Sequence, residues 1–367
     1  MLSFWEKQCL QQYDFVVVGA GIMGCSMAYE LRAKFPKANI LVIERGTFPT
    51  GASTKNAGFL CFGSPTEILS DLKLVGANKV YDLIAQRYEG IKILLQRFNA
   101  QENDILQYGG YELILNDKLP IDVLADLNNW LQPIFNATIF NEENEKIKSF
   151  GFHNVAQLIA IQNEAQIDSG KLMQHYWKLL TALNVQIITG IEVQNIQGNE
   201  IIAKNLYNGN FSLKAANIVL CTNAFISELL PEMPVKPGRG QVLITKPIPN
   251  LLFKGNFHIN EGFEYFRNVG NRVLFGGARN LDIATEQTTQ FEPNALILQH
   301  LKNRLKDTIL PNQDFKIEQE WQGIMGFSDT KEPIIMQLNK HTLYVMACNG
   351  MGVALSPLVA KLAVQKY

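Results

Sequence analysis

The sequence predicts an α/β protein (α+β overall) with a Rossmann-like βαβ unit near its amino terminus. Four apolar residues of a predicted strand lead directly into the glycines Gly19, Gly21 and Gly24. A predicted helix over 22–35 and a second apolar strand follow, and that strand ends at Glu44, twenty residues after the third glycine. A strand, a glycine turn, a helix and an acidic residue at this spacing are typical of a unit that binds a dinucleotide.

Each part of this pattern has a physical reason. Gly19 permits the tight turn that leaves the strand, Gly21 lets the backbone approach a pyrophosphate, and Gly24 lets the helix pack closely on the sheet. The helix amino terminus offers free N–H groups and the positive end of its dipole to the phosphates. The Glu44 carboxylate can accept hydrogen bonds from ribose hydroxyls and would repel the 2′-phosphate of NADP.

After this unit the pattern alternates between helices and strands. Residues 64–104 keep an apolar helical face, 107–116 alternate as a strand does, and Asp168 can cap a helix. The later predicted elements are the strand VQIITG, a turn at Asn208–Gly209, the strand 217–224, a β-rich region over 236–290 with a hairpin turn at Gly270–Asn271, the strand TLYVMACNG, and a helix that starts near Gly352.

A chain of 367 residues is long enough for two domains. The order of the elements predicts a discontinuous dinucleotide-binding domain built from 1–80, 150–235 and 320–367. The intervening segments, 81–149 and 236–319, are predicted to form a second domain with a β-sheet that binds the substrate.

The composition is that of a globular enzyme, with 47% hydrophobic and 18% charged residues. The formal net charge of −1 gives no field that would hold nucleic acid or an anionic membrane, so neither partner is predicted. The five cysteines are far apart and never form C-x-x-C, which predicts buried thiols in a reducing compartment and no metal site. The charged amino-terminal residues do not fit a signal peptide, and no apolar run is long enough to span a bilayer. These features predict a cytoplasmic protein, and they leave the oligomeric state open.

Two further segments favour FAD over NAD as the dinucleotide. From Glu44 onward the sequence reads ERGTFPTGASTKNAGFLCFGS, a loop of glycines and small residues suited to lie against a long, flat ligand. Near the carboxyl terminus, CNGMGVALSPLVAKLA places two glycines at a turn from a strand into a helix. The amino terminus of that helix, placed beside a flavin, would stabilise the negative charge that develops there on reduction.

The sequence, taken together, resembles the D-amino-acid oxidase (DAO) family of FAD-dependent oxidoreductases, which includes glycine oxidase, sarcosine oxidase and D-amino-acid dehydrogenase. The resemblance spans nearly the whole chain, and the order and spacing of its motifs are more specific than any one of them. The motifs are DFVVVGAGIMG…IERG, GASTKNAGFL, QIDSGKLMQHYWKLLTALNVQIITGIEV, NIVLCTNAF, PVKPGRGQVLIT, RVLFGGAR, EQEWQGIMGFSDTKEPII and CNGMGVALSP.

The resemblance implies a fold of two-dinucleotide-binding type, with non-covalent FAD at the interface with the substrate domain. It implies that Gly19, Gly21 and Gly24 hold the pyrophosphate and Glu44 the ribose, with Arg45 and Val193 near adenine. It further implies that Ser53, Asn56 and Ala57 line the flavin side, and that Gly350, Met351, Gly352 and Val353 close over the isoalloxazine ring. Family members that attach the flavin covalently use a cysteine between 221 and 348, and this chain has none there.

The implied reaction removes a hydride equivalent from the carbon next to an amine, and water then hydrolyses the imine. Glycine-oxidase-like members bind the substrate carboxylate with an arginine in the segment WQGIMGFS, where this chain has Met325. Met cannot pair with a carboxylate, so Arg267 or Arg279 replaces that arginine or the substrate is not a simple amino acid. Tyr265 is a further candidate for substrate binding. Arg239 is either a substrate ligand or structural, and His258 is expected to be a surface or strand histidine rather than a base.

The electron acceptor is O2 or another oxidant. Sarcosine-oxidase-like members use a lysine on the strand that corresponds to RVLFGG, and its absence here favours a dehydrogenase or a slow oxidase. Three alternatives stay open at the level of the sequence. They are a flavin monooxygenase, a flavoprotein that modifies tRNA, and an NAD-dependent dehydrogenase.

Overall fold

The structure is a computed structural model that describes residues 3–9, 12–205, 209–347 and 349–367. The predicted turn residue Asn208 and Cys348 lie outside these residues, as does the side chain of Cys9. The described strands are Gln12–Val18 (β1), Ile40–Glu44 (β2), Phe59–Leu60 (β3), Gly110–Ile114 (β4), Phe140–Glu142 (β5), Gln157–Ile161 (β6), Ala165–Gln166 (β7), Gln186–Thr189 (β8), Ile191–Gln197 (β9), Glu200–Asn205 (β10), Gly209–Leu220 (β11), Lys236–Thr245 (β12), Asn256–Ile259 (β13), Glu264–Val269 (β14), Arg272–Gly277 (β15), Ile317–Phe327 (β16), Ile334–Gln337 (β17) and Thr342–Met346 (β18).

The described helices include the predicted ones over 22–35, 64–104 and from Gly352 onward. They are Phe4–Cys9 (α1), Ile22–Lys34 (α2), Pro65–Val75 (α3), Ala77–Arg97 (α4), Ile121–Phe135 (α5), Glu145–Phe150 (α6), Ser169–Ala182 (α7), Ile226–Leu229 (α8), Ile283–Glu286 (α9), Ala295–Arg304 (α10) and Gly352–Ala363 (α11). Short 3₁₀ turns cover Asn223–Phe225, Arg279–Leu281 and Val364–Lys366, and a π-helical turn covers Leu305–Ile309. Asp168 caps α7 as predicted, because its Oδ1 accepts a hydrogen bond from the Lys171 backbone N at 2.9 Å.

The first sheet carries the dinucleotide pattern and confirms the predicted fold class. Its strands run in the order β17-β18-β11-β1-β2-β8, and β10 and β9 extend it from β11. The pairs of β1 with β2 and β11, of β2 with β8, and of β11 with β18 are parallel. Residues 15–18 of β1 and all of β2 are buried, because helices such as α2, α7 and α11 pack on this sheet.

The second sheet has the order β16-β12-β15-β14-β13-β4-β6-β5. Its pairs are antiparallel except for β13 with β4, and the predicted turn at Gly270–Asn271 connects β14 to β15. Strands β6 and β16 belong to this sheet, although the predicted boundaries assign 150–235 and most of β16 to the dinucleotide-binding segments. The sequence pattern could not assign these two strands, since the residues of a strand do not determine which distant strand it pairs with. The division into domains itself stays a prediction, and these boundaries would move with the two strands.

The parallel strands of the first sheet bring their carboxyl ends to one edge. β1 ends before Gly19, β2 ends at Glu44, β11 ends before Cys221 and β18 ends before Ala347. The edge formed by the carboxyl ends is where ligands bind in open α/β sheets. Among the described residues, no helix combines the length and the hydropathy needed to cross a bilayer.

Candidate active site

A cavity of about 330 Å³ opens at the carboxyl edge of the first sheet. The ends of β1, β2 and β18, the first residues of α2 and α11, and part of β9 form its wall. Of the thirteen predicted cofactor residues, ten line this cavity: Gly19, Gly21, Glu44, Arg45, Ser53, Asn56, Val193, Gly350, Gly352 and Val353. The structure therefore brings most of the predicted cofactor residues together at one cavity.

The glycine turn has the geometry that the sequence predicts. Gly19 has φ = +99°, and a Cβ at this position would lie 2.8 Å from the carbonyl oxygen of Cys221. Gly24 does not line the cavity, but a Cβ there would lie 1.8 Å from the Gly19 carbonyl oxygen, so only glycine lets α2 pack this closely on β1. The hydroxyl of Ser53 accepts a hydrogen bond from the Ile22 N–H at 2.9 Å and fixes the loop against the start of α2.

Glu44 is buried at the end of β2, and both of its carboxylate oxygens are positioned by backbone. Oε2 accepts a hydrogen bond from Ala20 N at 2.9 Å, and Oε1 accepts one from Gly46 N at 3.0 Å. Each oxygen can accept a further bond from a ligand in the cavity. The carboxylate is therefore fixed beside the glycine turn, which suits a ribose hydroxyl and opposes a phosphate.

Arg45 lines the same cavity. Its Nη1 pairs with Glu228 Oε2 at 3.0 Å, and its guanidinium lies 3.9 Å from the centroid of the Phe225 ring. Val193 lies on the cavity wall in β9. The flat guanidinium of Arg45 and the ring of Phe225 make this part of the cavity suitable for a planar group such as adenine.

The loop after β2 is held in shape by Asn56. Its Nδ2 donates to the carbonyl oxygens of Ala52 and Ser53, and its Oδ1 accepts from Gly58 N at 2.8 Å and from Ser169 Oγ at 2.7 Å. Because the amide is fully used in these bonds, Asn56 contributes shape to the cavity rather than a free polar group.

A second cavity, of about 510 Å³, adjoins the first. Six residues line both cavities: Ala52, Asn56, Met325, Asn349, Gly350 and Val353. Two predicted cofactor residues outside the first cavity, Ala57 and Met351, line the second one. A flat group that lies at this junction would present one part to each cavity.

The register of the second sheet determines which side chains face the second cavity. Tyr265 of β14 pairs with His258 of β13 on one side and with Gly276 of β15 on the other. Paired residues in adjacent strands point to the same face of a sheet. Tyr265 and His258 accordingly line the cavity together, and the Phe59 ring packs edge-on against both rings at 5.9 and 5.3 Å. Burial raises the pKa of the Tyr265 hydroxyl to about 12, so it stays a neutral hydrogen-bonding group.

The four predicted substrate residues do not share one position. Tyr265, Arg279 and Met325 line the second cavity, and Met325 lies at its junction with the first. Arg267 lines neither cavity, because its guanidinium donates to Gln166 Oε1 at 3.3 Å and to the Ile167 carbonyl oxygen at 3.1 Å. Burial lowers the pKa of Arg267 to about 10. The position of Arg267 is that of a brace between β14 and the segment before α7.

Two other predictions made from single residues have clear outcomes. Arg239 is buried and forms a bidentate pair with Glu286 at 3.1 and 2.8 Å, so it is structural. His258 lies on a strand as expected, but it is buried rather than on the surface, and it pairs with Glu164. No sequence signal joins His258 to Glu164, because the two residues are far apart in the chain and Glu164 lies in a connection between strands.

The comparisons with known proteins decide the family. The sequence model described as "DAO: FAD dependent oxidoreductase" matches residues 14–366. The chain belongs to the DAO family of FAD-dependent oxidoreductases. The predicted resemblance, the predicted FAD cofactor and the prediction of an oxidoreductase are thereby confirmed.

Individual relatives are distant. The chain is 23% identical to the probable oxidoreductase OrdL of Haemophilus influenzae over 97% of this chain and 83% of that protein. It is 23% identical to the bifunctional protein ThiO/ThiG of Trichormus variabilis over 95% of this chain, but it spans only 52% of that protein's length. The fold is similar to that of glycine oxidase from Geobacillus kaustophilus, with a TM-score of 0.77, 18% identity, and coverage of 97% of this chain and 94% of that chain.

The residues of the first cavity fit the FAD that the family requires. The two glycines leave room for phosphates beside the start of α2, and the Glu44 carboxylate lies next to them. The Thr222 hydroxyl lines the cavity and is buried without a partner among the described residues, so a polar ligand would satisfy it. At the junction, α11 begins at Gly352 without a side-chain cap, and its first N–H groups are available to the electron-rich edge of a flavin.

Proposed function

We propose that this protein oxidises a carbon–nitrogen bond of a small amino acid, or of a related amine, with FAD as the oxidant. The product would be an imine that water hydrolyses. The observation that carries the proposal is the second cavity, which meets the cofactor cavity at Met325 and Gly350 and is lined by Arg279, an arginine without a carboxylate partner among the described residues.

Arg279 is positioned by a distorted turn at the end of β15. Gly277 and Ala278 have φ = +107° and +57°, and Ala278 N donates to the Phe263 carbonyl oxygen at 2.6 Å. Positive φ at a non-glycine residue is held by its surroundings and is enriched at functional sites. The turn places the Arg279 guanidinium 4.2 Å from the centroid of the Phe327 ring, on the cavity wall.

Within the part of the chain that the structure describes, Arg279 has no carboxylate partner. The nearby carboxylate of Glu286 is already bonded to Arg239, Gln241 and Asn294. Burial lowers the pKa of Arg279, and the nearby charge of Glu286 offsets this effect only in part. A substrate carboxylate in the cavity would supply the remaining compensation in bidentate geometry.

The other cations of the second cavity are less suitable. Arg87 pairs with Glu67 at 3.3 Å, and Lys331 pairs with Asp71. Lys55 has no carboxylate partner among the described residues, and its Nζ lies 5.5 Å from the centroid of the Phe291 ring. An ammonium offers a point charge rather than the fork that matches a carboxylate, so Arg279 is the stronger candidate.

The remaining wall of the cavity supports an amine with a small side chain. Phe59, Tyr265, Phe327 and Met351 provide aromatic and thioether surface. These side chains exclude water from the substrate carbon and orient it toward the junction with the first cavity. FAD bound at that junction would supply the hydride acceptor.

The electron acceptor belongs to the proposal as well. Because β15 carries no lysine, we propose a dehydrogenase or a slow oxidase. The free, buried thiols of Cys25, Cys61 and Cys221 suit a reducing compartment, so we propose a cytoplasmic location. We also propose that FAD is held without a covalent bond, since burial raises the pKa of Cys61 and Cys221 and keeps these cavity thiols protonated.

The test is anaerobic reduction of the flavin by amino acids in the wild type, Arg279→Met and Arg272→Met. Loss of a charged hydrogen-bond pair costs about 1.5–3 kcal/mol, so Arg279→Met should raise the KM for the best amino acid roughly 10- to 100-fold. Arg272 begins β15, the strand that leads to the Arg279 turn, but it pairs with Glu318 and lines neither cavity, so its replacement controls for lost charge.

A second comparison separates the carboxylate from the amine. The decarboxylated form of the same substrate should be oxidised equally well by the wild type and by Arg279→Met. If Arg279→Met leaves the KM of the amino acid unchanged, the proposed carboxylate site is wrong. If no amine reduces the wild-type flavin, the proposed reaction is wrong.

A further inference from the structure

His258 and Glu164 form a buried pair at the wall of the second cavity. The Nε2 atom of His258 lies 3.1 Å from each of the two carboxylate oxygens of Glu164. Both side chains are at least nine-tenths buried, and His258 lines the cavity in which the proposed substrate would lie.

Glu164 is itself fixed. Asn256 Nδ2 donates to Glu164 Oε2 at 3.2 Å and to the Ala165 carbonyl oxygen at 2.9 Å. A Cβ on Gly110 would lie 2.3 Å from Glu164 Oε2, so glycine in β4 makes room for the carboxylate. A carboxylate positioned in this way fixes the orientation and the tautomer of the imidazole, and Nδ1 remains as the ring nitrogen that can take up a proton.

We propose that His258, oriented by Glu164, accepts the proton that the substrate ammonium group must lose before its carbon is oxidised. The inference rests on the proposed function and adds an acid–base group to it. His258 is the catalytic residue, because it faces the substrate cavity. Glu164 is a positioning residue, because it acts through His258.

The substrate arrives as an ammonium ion, and its N–H bond breaks as the proton passes to the neutral imidazole of His258, which becomes an imidazolium paired with Glu164. The neutral amine then has the lone pair that forms the C=N bond when the C–H bond breaks. FAD bound at the junction of the two cavities would take up the hydride with its electron pair, which would leave the substrate as an iminium ion.

The surroundings of His258 determine the pH at which this step becomes available. Burial lowers the pKa of His258, but the charge and the hydrogen bond of Glu164 outweigh burial and raise it above the usual 6.5. The other ionisable groups around the pair are Glu112 on β4, Tyr265 on β14, Cys61 after β3, Glu67 on α3 and Arg87 on α4. Burial raises the pKa of Glu112 as well, so this carboxyl group adds less negative charge than an exposed one would. The base form of His258 therefore becomes available only as the pH rises through this raised pKa.

The experiment uses FAD-loaded wild type, His258→Gln, Glu164→Gln, Glu164→Asp and His300→Gln. Histidine side chains are titrated by NMR, where the chain's five histidines can be assigned by substitution. The anaerobic rate of flavin reduction by the best amine is then measured across pH. His300 is a matched control, because its Nε2 pairs with Glu264 Oε1 at 3.0 Å but neither residue lines the cavity.

We expect the wild-type rate to rise with pH through the pKa measured for His258. His258→Gln should slow reduction by about 100-fold near neutrality and recover as the pH exceeds the pKa of the substrate amine. Glu164→Gln should move both the NMR titration and the rate profile to lower pH, Glu164→Asp should restore them in part, and His300→Gln should change neither. If His258→Gln unfolds because Glu164 is left unpaired, the double variant His258→Gln/Glu164→Gln provides the same comparison.

Two results would overturn the inference while leaving the proposed function intact. One is a His258→Gln variant with the wild-type pH profile. The other is a rate or an affinity that falls through the pKa of His258, which would make His258 a cationic anchor for the substrate carboxylate instead of a base. No reduction of the wild-type flavin by any amine would overturn the proposed function, and the inference with it.

Discussion

Replacement of Glu44 by alanine tests the cofactor site most sharply among single substitutions. The Glu44 carboxylate is buried at the end of β2, and its two oxygens accept hydrogen bonds from Ala20 N and Gly46 N at 2.9 and 3.0 Å. Alanine removes the acceptor for both N–H groups and for a ribose in the first cavity. The change therefore acts on the apoprotein and on cofactor binding at the same time.

The size of each effect follows from the hydrogen bonds involved. A hydrogen bond to a charged group contributes about 1.5–3 kcal/mol, so two ribose hydroxyls held by one carboxylate correspond to about 3–6 kcal/mol. The Kd for FAD should rise by roughly 10² to 10⁴. The two N–H groups left without an acceptor cost about 1–3 kcal/mol each where water cannot reach them, so the apoprotein should also unfold at lower temperature.

The assay has to separate these two contributions. Apoprotein is prepared by removing FAD, its folded fraction is measured by circular dichroism, and FAD is titrated into it by quenching of flavin fluorescence. Glu44→Gln is the matched variant: it keeps one acceptor oxygen, and its Kd should lie between those of the wild type and of Glu44→Ala. A folded Glu44→Ala apoprotein that binds FAD as tightly as the wild type would refute the assignment of Glu44 to the ribose.

Two other predictions concern stability. Gly24→Ala should lower the free energy of unfolding, measured by chemical denaturation, by about 3 kcal/mol or more, because the new Cβ would lie 1.8 Å from the Gly19 carbonyl oxygen. Gly170→Ala in α7 is the control. Its Cβ would meet only the Asp168 side chain, at 3.2 Å, so it should lower the free energy of unfolding far less. Since the pKa of His258 is raised in the folded state, the stability that Glu164 gives it is fully present below the unfolded pKa near 6.5 and is lost as the pH rises through the folded value. The difference in unfolding free energy between wild type and Glu164→Gln should therefore shrink with rising pH over that interval, and a difference that grows instead would contradict the pairing.

The dinucleotide site could be predicted from the sequence because its chemistry is local. Gly19, Gly21, Gly24 and Glu44 lie within one βαβ unit, and the spacing of that unit alone determines where they meet. The loop after β2 and the glycines before α11 were found for a similar reason, since each precedes or follows a strand that ends at the same edge of the sheet.

The substrate side could be predicted only in part, because its geometry depends on pairing between distant segments. Arg267 and Arg279 are equivalent in the sequence, but β14 turns one toward Gln166 and the turn after β15 places the other on the cavity wall. His258 and Glu164 are 94 residues apart, and no periodicity connects them. The place of β6 and β16 in the second sheet could not be predicted for the same reason, since each strand pairs with segments distant in the sequence.

The most direct test of the account as a whole is an anaerobic titration of the purified protein with a panel of amino acids and the corresponding amines, followed through the flavin absorption bands. We expect a yellow protein whose flavin leaves with the supernatant on denaturation. We also expect at least one amino acid to bleach the flavin at lower concentration than its decarboxylated form does. A flavin that every amine leaves oxidised would contradict the proposed reaction, and one bleached equally well by amine and amino acid would contradict the role of Arg279.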